Sequence, residues 1–182
     1  MHKPGHFGLS LLATSLLVLI VVDLGYPHWG ILIAAAGTAG GNLPDIDNKP
    51  LVPFSHHGWT HTVLFTLIAG VAIVPLALAG YWSILQFGQE IPVAVPAPSQ
   101  LEFLGLSVIL YIAAVLGGLS HLFGDTLSTA GGKLLIRPWK PISNNYVRIG
   151  ITTADSPVYN TGFFIAGVIS HGIVYQSFFG LI

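Results

Sequence analysis

Long apolar stretches restrict what this chain can fold into more than any other feature of its sequence. A hydrocarbon core of about 30 Å is crossed by roughly 20 helical residues. Stretches of that order occupy residues 7–24, 61–85, 102–123 and 160–182, and a shorter one rich in Ala and Gly occupies residues 29–41. Charged residues make up only 7% of the chain, whereas a soluble domain carries about 25%. The sequence therefore predicts an all-α integral membrane helical bundle with about five transmembrane segments.

The first apolar stretch has some features of a signal peptide, because Lys3 precedes the apolar residues 9–22. No small-residue cleavage site follows promptly, so we interpret the stretch as a retained span. The Ala- and Gly-rich second stretch is short for a full crossing, and its small residues favour close packing against other helices. We treat residues 1–182 as a single membrane-embedded domain.

The basic residues predict an orientation in the membrane. Cytoplasmic loops carry an excess of Lys and Arg. Five spans with a cytoplasmic N-terminus place every Lys and Arg of the chain on the cytoplasmic side, namely Lys3, Lys49, Lys133, Arg137, Lys140 and Arg148. We therefore expect a multi-pass protein of the inner or plasma membrane. The net charge of −1 gives no reason to expect a nucleic-acid partner.

The same topology gathers polar side chains at the cytoplasmic ends of different spans. Ionisable residues near lipid are energetically expensive and often mark functional sites. The residues concerned are His6, Asp45, Asp47, His56, His57, His61, His121 and Asp125. Because they are spread along the chain and yet share one predicted depth, we expect a metal site at the cytoplasmic face.

The residue types and spacings fit this interpretation. His121 and Asp125 are four residues apart, which puts them on one face of a helix. His57 and His61 share this spacing, whereas His56 and His61 are five residues apart. His56 and His57 therefore both remain candidate ligands beside His61. The chain has no Cys, which excludes thiolate ligands, and imidazole with carboxylate suits zinc, manganese or iron.

Each part of the pattern also has a purely structural explanation. Asp45 and Asp47 can cap a helix or form a turn, and His121 with Asp125 can be a hydrogen-bonded pair at a helix end. We interpret His2 and His28 as interfacial and structural. His171 lies in the middle of the last span, where we favour a buried polar contact over a distant member of the site.

Three segments resemble the YdjM-like family of membrane-bound metal-dependent hydrolases. They are NLPDIDN (42–48), HHGWTH (56–61) and SHLFGDTLSTAGG (120–132). The ordered combination covers most of the chain. The family is in turn distantly similar to the zinc-dependent phospholipase C and single-strand nuclease superfamily, and this second likeness concerns the fold alone.

The resemblance implies a set of metal ligands. Carried over residue by residue, the set is His6, Asp45, Asp47, His56, His61, His121 and Asp125. His57 stands where the family usually has Arg, and the resemblance favours His56 over His57 as ligand. The family often has a Glu in the last loop, where this chain offers only Asp155.

Together these observations predict a hydrolase that cleaves a phosphate ester of a lipid or lipid-linked substrate. More than four candidate ligands indicate two or three divalent ions, zinc first and manganese second. Asp47 or Asp45 is a candidate general base, and His57 a further catalytic candidate. Arg137, Lys140 and Arg148, with Lys133, are candidates for binding an anionic headgroup.

Two other functions stay open on the sequence. In a metal or proton transporter, the same His and Asp side chains would line a path for the ion. Against this alternative, the sequence offers no comparable group of polar residues at the opposite membrane face. In a protein with a purely structural metal site, a closed set of four ligands would suffice, and the candidates exceed four.

Overall fold

The computed structural model describes residues 1–48, 56–87, 97–129 and 136–178. Within these ranges, five α-helices form the bundle: α1 (Lys3–Asp23), α2 (Pro27–Asn42), α3 (Val63–Phe87), α4 (Gln100–Leu127) and α5 (Pro157–Phe178). Two short 3₁₀ turns, Pro44–Asn48 and Trp59–His61, lie between α2 and α3. The two-residue strands β1 (Ser128–Thr129) and β2 (Thr152–Thr153) pair in parallel.

Three helices are long and apolar enough to cross a membrane: α1, residues 63–86 of α3, and α4. At 1.5 Å per residue, the 16 residues of α2 extend only about 24 Å, less than the hydrocarbon thickness. Large apolar side chains such as Val71 and Leu76 on α3 are exposed, as expected of a surface that faces lipid. The predicted all-α membrane bundle is confirmed. Five crossings and a cytoplasmic N-terminus stay predictions.

The core lies between α1, α2 and α4. Val18 and Val21 of α1, Ile33 of α2, and Leu106 and Leu110 of α4 are fully or almost fully buried in one cluster. α3 packs mainly against α4, and α5 packs mainly against α1. The helices that carry the candidate site residues are thus held by a shared apolar core.

Glycines let α2 and α4 approach each other closely, as the composition of α2 predicts. A Cβ at Gly40 would overlap the carbonyl oxygen of Ala114, and a Cβ at Gly117 would overlap that of Gly37. The backbones therefore touch where larger side chains would separate them. This contact brings the end of α2 against the last turns of α4.

One end of the bundle gathers several chain segments. α1 begins there, α4 ends there, and both 3₁₀ turns lie between them, as their side-chain contacts establish. Pro44 begins the first 3₁₀ turn two residues after α2 ends at Asn42, and because proline offers no N–H it disfavours continuation of the α-helix. The polar side chains of these segments form the candidate metal centre.

Candidate metal centre

Asp125 lies at the middle of the cluster. Its side chain is buried on the last turn of α4, one helical turn after His121. The Oδ2 atom lies 3.4 Å from His121 Nε2, 3.6 Å from His61 Nε2 and 3.8 Å from His57 Nδ1. Within the described residues, Oδ2 has no hydrogen-bond partner. A buried, unsatisfied carboxylate oxygen is costly, and a cation among these atoms would satisfy it.

Four side-chain atoms have spacings close to those of a metal coordination shell. His61 Nε2 and His121 Nε2 are 3.4 Å apart. Asp45 Oδ1 lies 3.8 Å from His61 Nε2 and 3.9 Å from His121 Nε2. Tetrahedral ligands about 2.0–2.2 Å from a zinc ion are separated from each other by about 3.3–3.6 Å. His61, His121 and Asp125 therefore have the spacing of ligands to one divalent ion, and Asp45 lies slightly farther from both imidazoles.

Both histidines of this set are oriented by a hydrogen bond at the opposite ring nitrogen. His121 Nδ1 donates to the carbonyl oxygen of Gly41 over 2.7 Å. His61 Nδ1 forms a hydrogen bond of 3.1 Å with the Thr60 hydroxyl and lies 3.2 Å from Asp47 Oδ2. A protonated Nδ1 leaves the lone pair on Nε2, which faces the other ligand atoms. Histidines that bind metals in proteins are held in this way by carbonyls and carboxylates.

Asp47 is buried, and both of its oxygens already accept hydrogen bonds. Oδ1 accepts from His56 Nδ1 at 2.9 Å, and Oδ2 accepts from the Thr60 hydroxyl at 2.5 Å. Burial by itself would raise the pKa of Asp47, but the bonds from Thr60 and His56 and the nearby His61 hold the pKa below its usual value. These contacts favour a role in orienting His61. The predicted roles of Asp47 as ligand and general base stay predictions.

His61 is fully buried and neutral over the physiological range. Burial lowers the pKa of His61 to about 3, although the carboxylates of Asp125 and Asp47 act to raise it. A neutral imidazole is the form that binds a metal ion. The side chain is therefore ready to coordinate without first losing a proton.

His57 lies closer to this centre than His56. His57 Nδ1 is buried without a hydrogen-bond partner among the described residues, and burial lowers the pKa of His57. The residue has φ 58°, a left-handed conformation that is uncommon for side chains other than Gly and costs free energy. His56 instead bonds Asp47 and is exposed. His57, which the helical spacing indicates, and His56, which the family resemblance favours, both belong to groups able to hold a metal ion, so both stay candidates.

His6 approaches Asp125 from the other side. Its Nε2 lies 3.3 Å from Asp125 Oδ1, and its ring stacks on His121 with centroids 3.7 Å apart. Oδ1 of Asp125 therefore faces His6 and the N-terminal ammonium of Met1, which donates to it over 2.9 Å. Oδ2 faces His57, His61 and His121. His6, His121 and Asp125 form one of the buried or partly buried groups able to hold a metal ion.

A cavity of about 510 Å³ opens directly over the cluster. Its lining includes Asp45 and Asp125 below and His56 and His57 on one wall. Lys3 and Asn48 also line it. The volume is within the range of small-molecule sites. The cluster is accessible to a ligand.

Several predicted residues lie elsewhere. Arg137, Lys140 and Arg148 do not line this cavity, as far as the described residues extend, and their headgroup-binding role stays a prediction. His171 is partly buried and its Nδ1 bonds the Gly167 carbonyl of its own helix at 3.3 Å, whereas its Nε2 has no hydrogen-bond partner among the described residues. Asp155 is exposed next to the cavity-lining Ala154. Lys49 and Lys133 lie outside the described residues.

Other residues contribute to the site in ways that the sequence analysis missed. Thr60 belongs to the HHGWTH segment, but its bond to Asp47 depends on the 3₁₀ turn. Gly41 acts through its carbonyl, which leaves no side-chain signal. Asn160, buried at the start of α5, accepts from the backbone N–H of His2 and donates to the carbonyls of Ala154 and Ser156. It fixes the wall of the cavity that carries Lys3, a residue we had used only for orientation.

Comparison with known proteins places the chain in a family without supplying a reaction. No curated protein and no solved structure matches it significantly. The family model described as "YdjM inner membrane protein" matches residues 1–181, essentially the whole chain. This agrees with the three helices that are long and apolar enough to cross a membrane and with the resemblance seen in the motifs. The chain therefore belongs to the YdjM inner membrane protein family.

Proposed function

We propose that this protein is a membrane-bound, metal-dependent hydrolase that cleaves a phosphate ester of a lipid or lipid-linked substrate. The observation that carries the proposal is the convergence of Asp45, His61, His121 and Asp125 beneath an accessible cavity. Structural zinc sites are closed, whereas catalytic sites keep an open position. Here the cavity reaches Asp45 and Asp125 directly, which favours catalysis over a structural role.

The ion held by these residues would supply Lewis acidity for activating water and for neutralising charge on a phosphoryl group. Zinc suits the nitrogen and oxygen ligands best, and manganese is the second choice. Oδ1 of Asp125 faces His6 and accepts from the N-terminal ammonium of Met1 over 2.9 Å, so a second ion on the His6 side would take the place of that ammonium. Sites with two metals of this kind act on phosphate esters.

The chain's own groups have separate tasks in this proposal. Gly41 and Asp47 hold His121 and His61 with their Nε2 atoms towards the ion. His57, neutral and in contact with the cavity, accepts a proton from the attacking water. Among the described residues, Lys3 supplies the basic side chain that lines the cavity. We therefore assign the binding of the anionic phosphate to Lys3 in place of the predicted Arg137, Lys140 and Arg148.

The test is hydrolysis by the purified protein reconstituted in lipid vesicles. A phosphomonoester, a phosphodiester and phospholipids with different headgroups are offered before and after metal removal by a chelator. We expect hydrolysis that disappears with the metal, returns with added Zn²⁺ or Mn²⁺, and is absent in Asp125→Asn. Glu102→Gln, which changes a carboxylate outside the cluster, is the matched control and keeps the activity.

Two results would replace the proposal. Uptake of Zn²⁺ or Mn²⁺ into the vesicles by wild-type protein, without hydrolysis, would establish a transporter. Tight metal binding with neither hydrolysis nor uptake would leave a structural site. Either finding would also mean that the cavity is not a substrate site, since neither a transporter nor a structural metal site needs an anionic substrate beside Lys3.

A further inference from the structure

The segment 136–151, which we call the basic loop, combines positive charge with exposed apolar side chains. It contains Arg137, Lys140 and Arg148 and no acidic residue. Ile142 is 93% exposed and Trp139 53% exposed, and further large apolar or aromatic side chains are exposed at Tyr146, Ile149 and Ile151. A loop in bulk water has no reason to expose so much apolar surface. The combination is typical of polypeptide at the boundary between headgroups and acyl chains.

Backbone hydrogen bonds keep the basic loop at the level of the helix ends. The N–H of Ile149 donates to the Thr126 carbonyl over 2.7 Å, and that of Ile151 donates to Leu127 over 2.9 Å. The N–H of Val63, the first residue of α3, donates to the Pro138 carbonyl over 2.9 Å. The loop is therefore attached where α4 ends and α3 begins, two helices apolar enough to cross a membrane. Such helix ends lie close to the headgroups.

One of the cations is already held in place. The guanidinium carbon of Arg137 lies 4.2 Å from the centre of the Tyr146 ring, and the same guanidinium donates to the Tyr146 hydroxyl. Stacking of this kind reduces the freedom of the arginine. Arginine forms paired hydrogen bonds with phosphate oxygens more readily than lysine does.

We infer that the basic loop binds anionic phospholipids of the leaflet at the metal-centre end of the bundle. Its apolar side chains lie among the upper acyl chains, and Arg137, Lys140 and Arg148 lie at the level of the phosphates. This lipid site is separate from the cavity, which none of the three cations lines among the described residues. The inference requires only a membrane-embedded bundle and is independent of the proposed reaction.

The test measures which lipids approach Trp139. Wild-type protein and Trp139→Phe are reconstituted in vesicles that contain a brominated phosphatidylglycerol or a brominated phosphatidylcholine, and bromine quenches Trp fluorescence at close range. The difference between the two proteins isolates Trp139 from the other Trp residues. We expect quenching by the anionic lipid at a lower mole fraction than by the zwitterionic one.

Charge variants then test whether the basic residues of the loop cause the preference for the anionic lipid. Each basic residue near a membrane surface contributes about fivefold to anionic lipid association, so Arg148→Gln is expected to lower the preference about fivefold, and replacement of all three basic residues by Gln to abolish it. Asn144→Gln alters a side chain of the same loop without changing its charge, and the preference should remain. High salt should weaken it in the wild type.

Three results would overturn the inference. The first is equal quenching by the two lipids in the wild type. The second is a preference that persists in the triple variant. The third is a Trp139 that neither lipid quenches, because the loop would then lie in water. All three can be obtained without any metal or activity, so they do not depend on the outcome of the hydrolysis test.

Discussion

Both ends of the helix bundle carry carboxylates and imidazoles, but the carboxylate oxygens at the two ends differ in their hydrogen-bond partners. At one end, Glu102 accepts from the Ser99 N–H at 2.7 Å and from the Tyr26 hydroxyl at 2.8 Å, so that each oxygen has a donor. The cavity that Glu102 and His28 line measures only about 30 Å³, and a cavity of about 630 Å³ beside Ser99 is lined by neither of them. At the other end, Asp125 Oδ2 has imidazole nitrogens around it, no hydrogen-bond partner in the described chain, and a cavity of about 510 Å³ beside it.

This difference shows how a binding site can be told from a structural polar contact. The Glu102 cluster is complete without a ligand, because Ser99 and Glu102 form a reciprocal helix cap. The Asp125 cluster is incomplete at Oδ2, which faces imidazole nitrogens without a hydrogen bond among the described residues, whereas Oδ1 accepts from the N-terminal ammonium of Met1. A cation beside Oδ2 would complete the cluster. The predictions below test whether that distinction holds.

The largest effect is expected from removing an imidazole at the metal end. His121→Ala deletes one of four converging ligand atoms, and we expect metal affinity to fall by more than about 100-fold, beyond what loss of a supporting hydrogen bond costs. His28→Ala removes an imidazole at the opposite end and should leave affinity unchanged. Competition with a chelator of known affinity measures both. Equal affinities in the two variants would remove the distinction between the ends.

The next effect concerns the contact that brings α2 to α4. Gly40→Ala inserts a methyl group against the Ala114 carbonyl, and overpacking of this kind costs about 1–3 kcal/mol. Gly80→Ala meets no neighbouring atom within 4 Å and should be tolerated. Thermal unfolding of the purified proteins compares them. A Gly40→Ala protein as stable as Gly80→Ala would show that the close approach is not needed.

A smaller effect is expected from a residue that orients a ligand. Asp47→Asn weakens the hold on His61 Nδ1 without removing a ligand of the converging set, and we expect metal affinity to fall by about 10–100-fold. Glu102→Gln is the matched carboxylate at the other end and should have no effect. If Asp47→Asn abolished binding as completely as His121→Ala, Asp47 would be a ligand, as the family resemblance implies.

The smallest effect is a difference in pH response between the ends. In metal-free protein, the pKa of His61 is about 3, against 6.5 for an unburied histidine. Since the unfolded chain takes up a proton between these values and the folded chain does not, stability is lost as pH falls from about 6.5 towards 3. The bond to Glu102 raises the pKa of Tyr26 above its usual 10.0. The contribution of Tyr26 to stability is therefore lost only as pH rises above about 10, where the unfolded chain gives up the phenol proton and the folded chain still holds it.

Unfolding temperatures of the metal-free protein across pH test this pair of statements. His61→Gln should flatten the acid side of the profile, and Tyr26→Phe should flatten the alkaline side. The pH assignment fails if His61→Gln leaves the acid side as steep as in the wild type.

The helices and the main ligand pairs were predictable because they follow from local rules. Apolar stretch length predicted all five helices, with α4 running past the expected residue 123 to Leu127. His121 and Asp125 share a face because a helix repeats every 3.6 residues. Asp45 and His61 were predicted from convergence at one membrane face, and the structure places them together.

The remaining features depend on geometry that has no sequence signal. His57 reaches Asp125 only because it adopts a positive φ, which side chains other than Gly rarely take. The carbonyl of Gly41 reaches His121 because glycines allow two backbones to touch, a tertiary contact. The sequence analysis used basic residues to predict orientation, through the excess of Lys and Arg in cytoplasmic loops. That excess does not tell which basic residue lines the cavity, and Lys3 lines it whereas Arg148 does not.

Elemental analysis tests the central claim most directly. Wild-type protein, Asp125→Asn and Glu102→Gln are purified in parallel from cells grown with zinc and manganese, and the metal content per chain is measured. The account predicts a bound divalent ion in the wild type and in Glu102→Gln and its loss from a folded Asp125→Asn. Metal absent from all three proteins, or retained by Asp125→Asn, would contradict it.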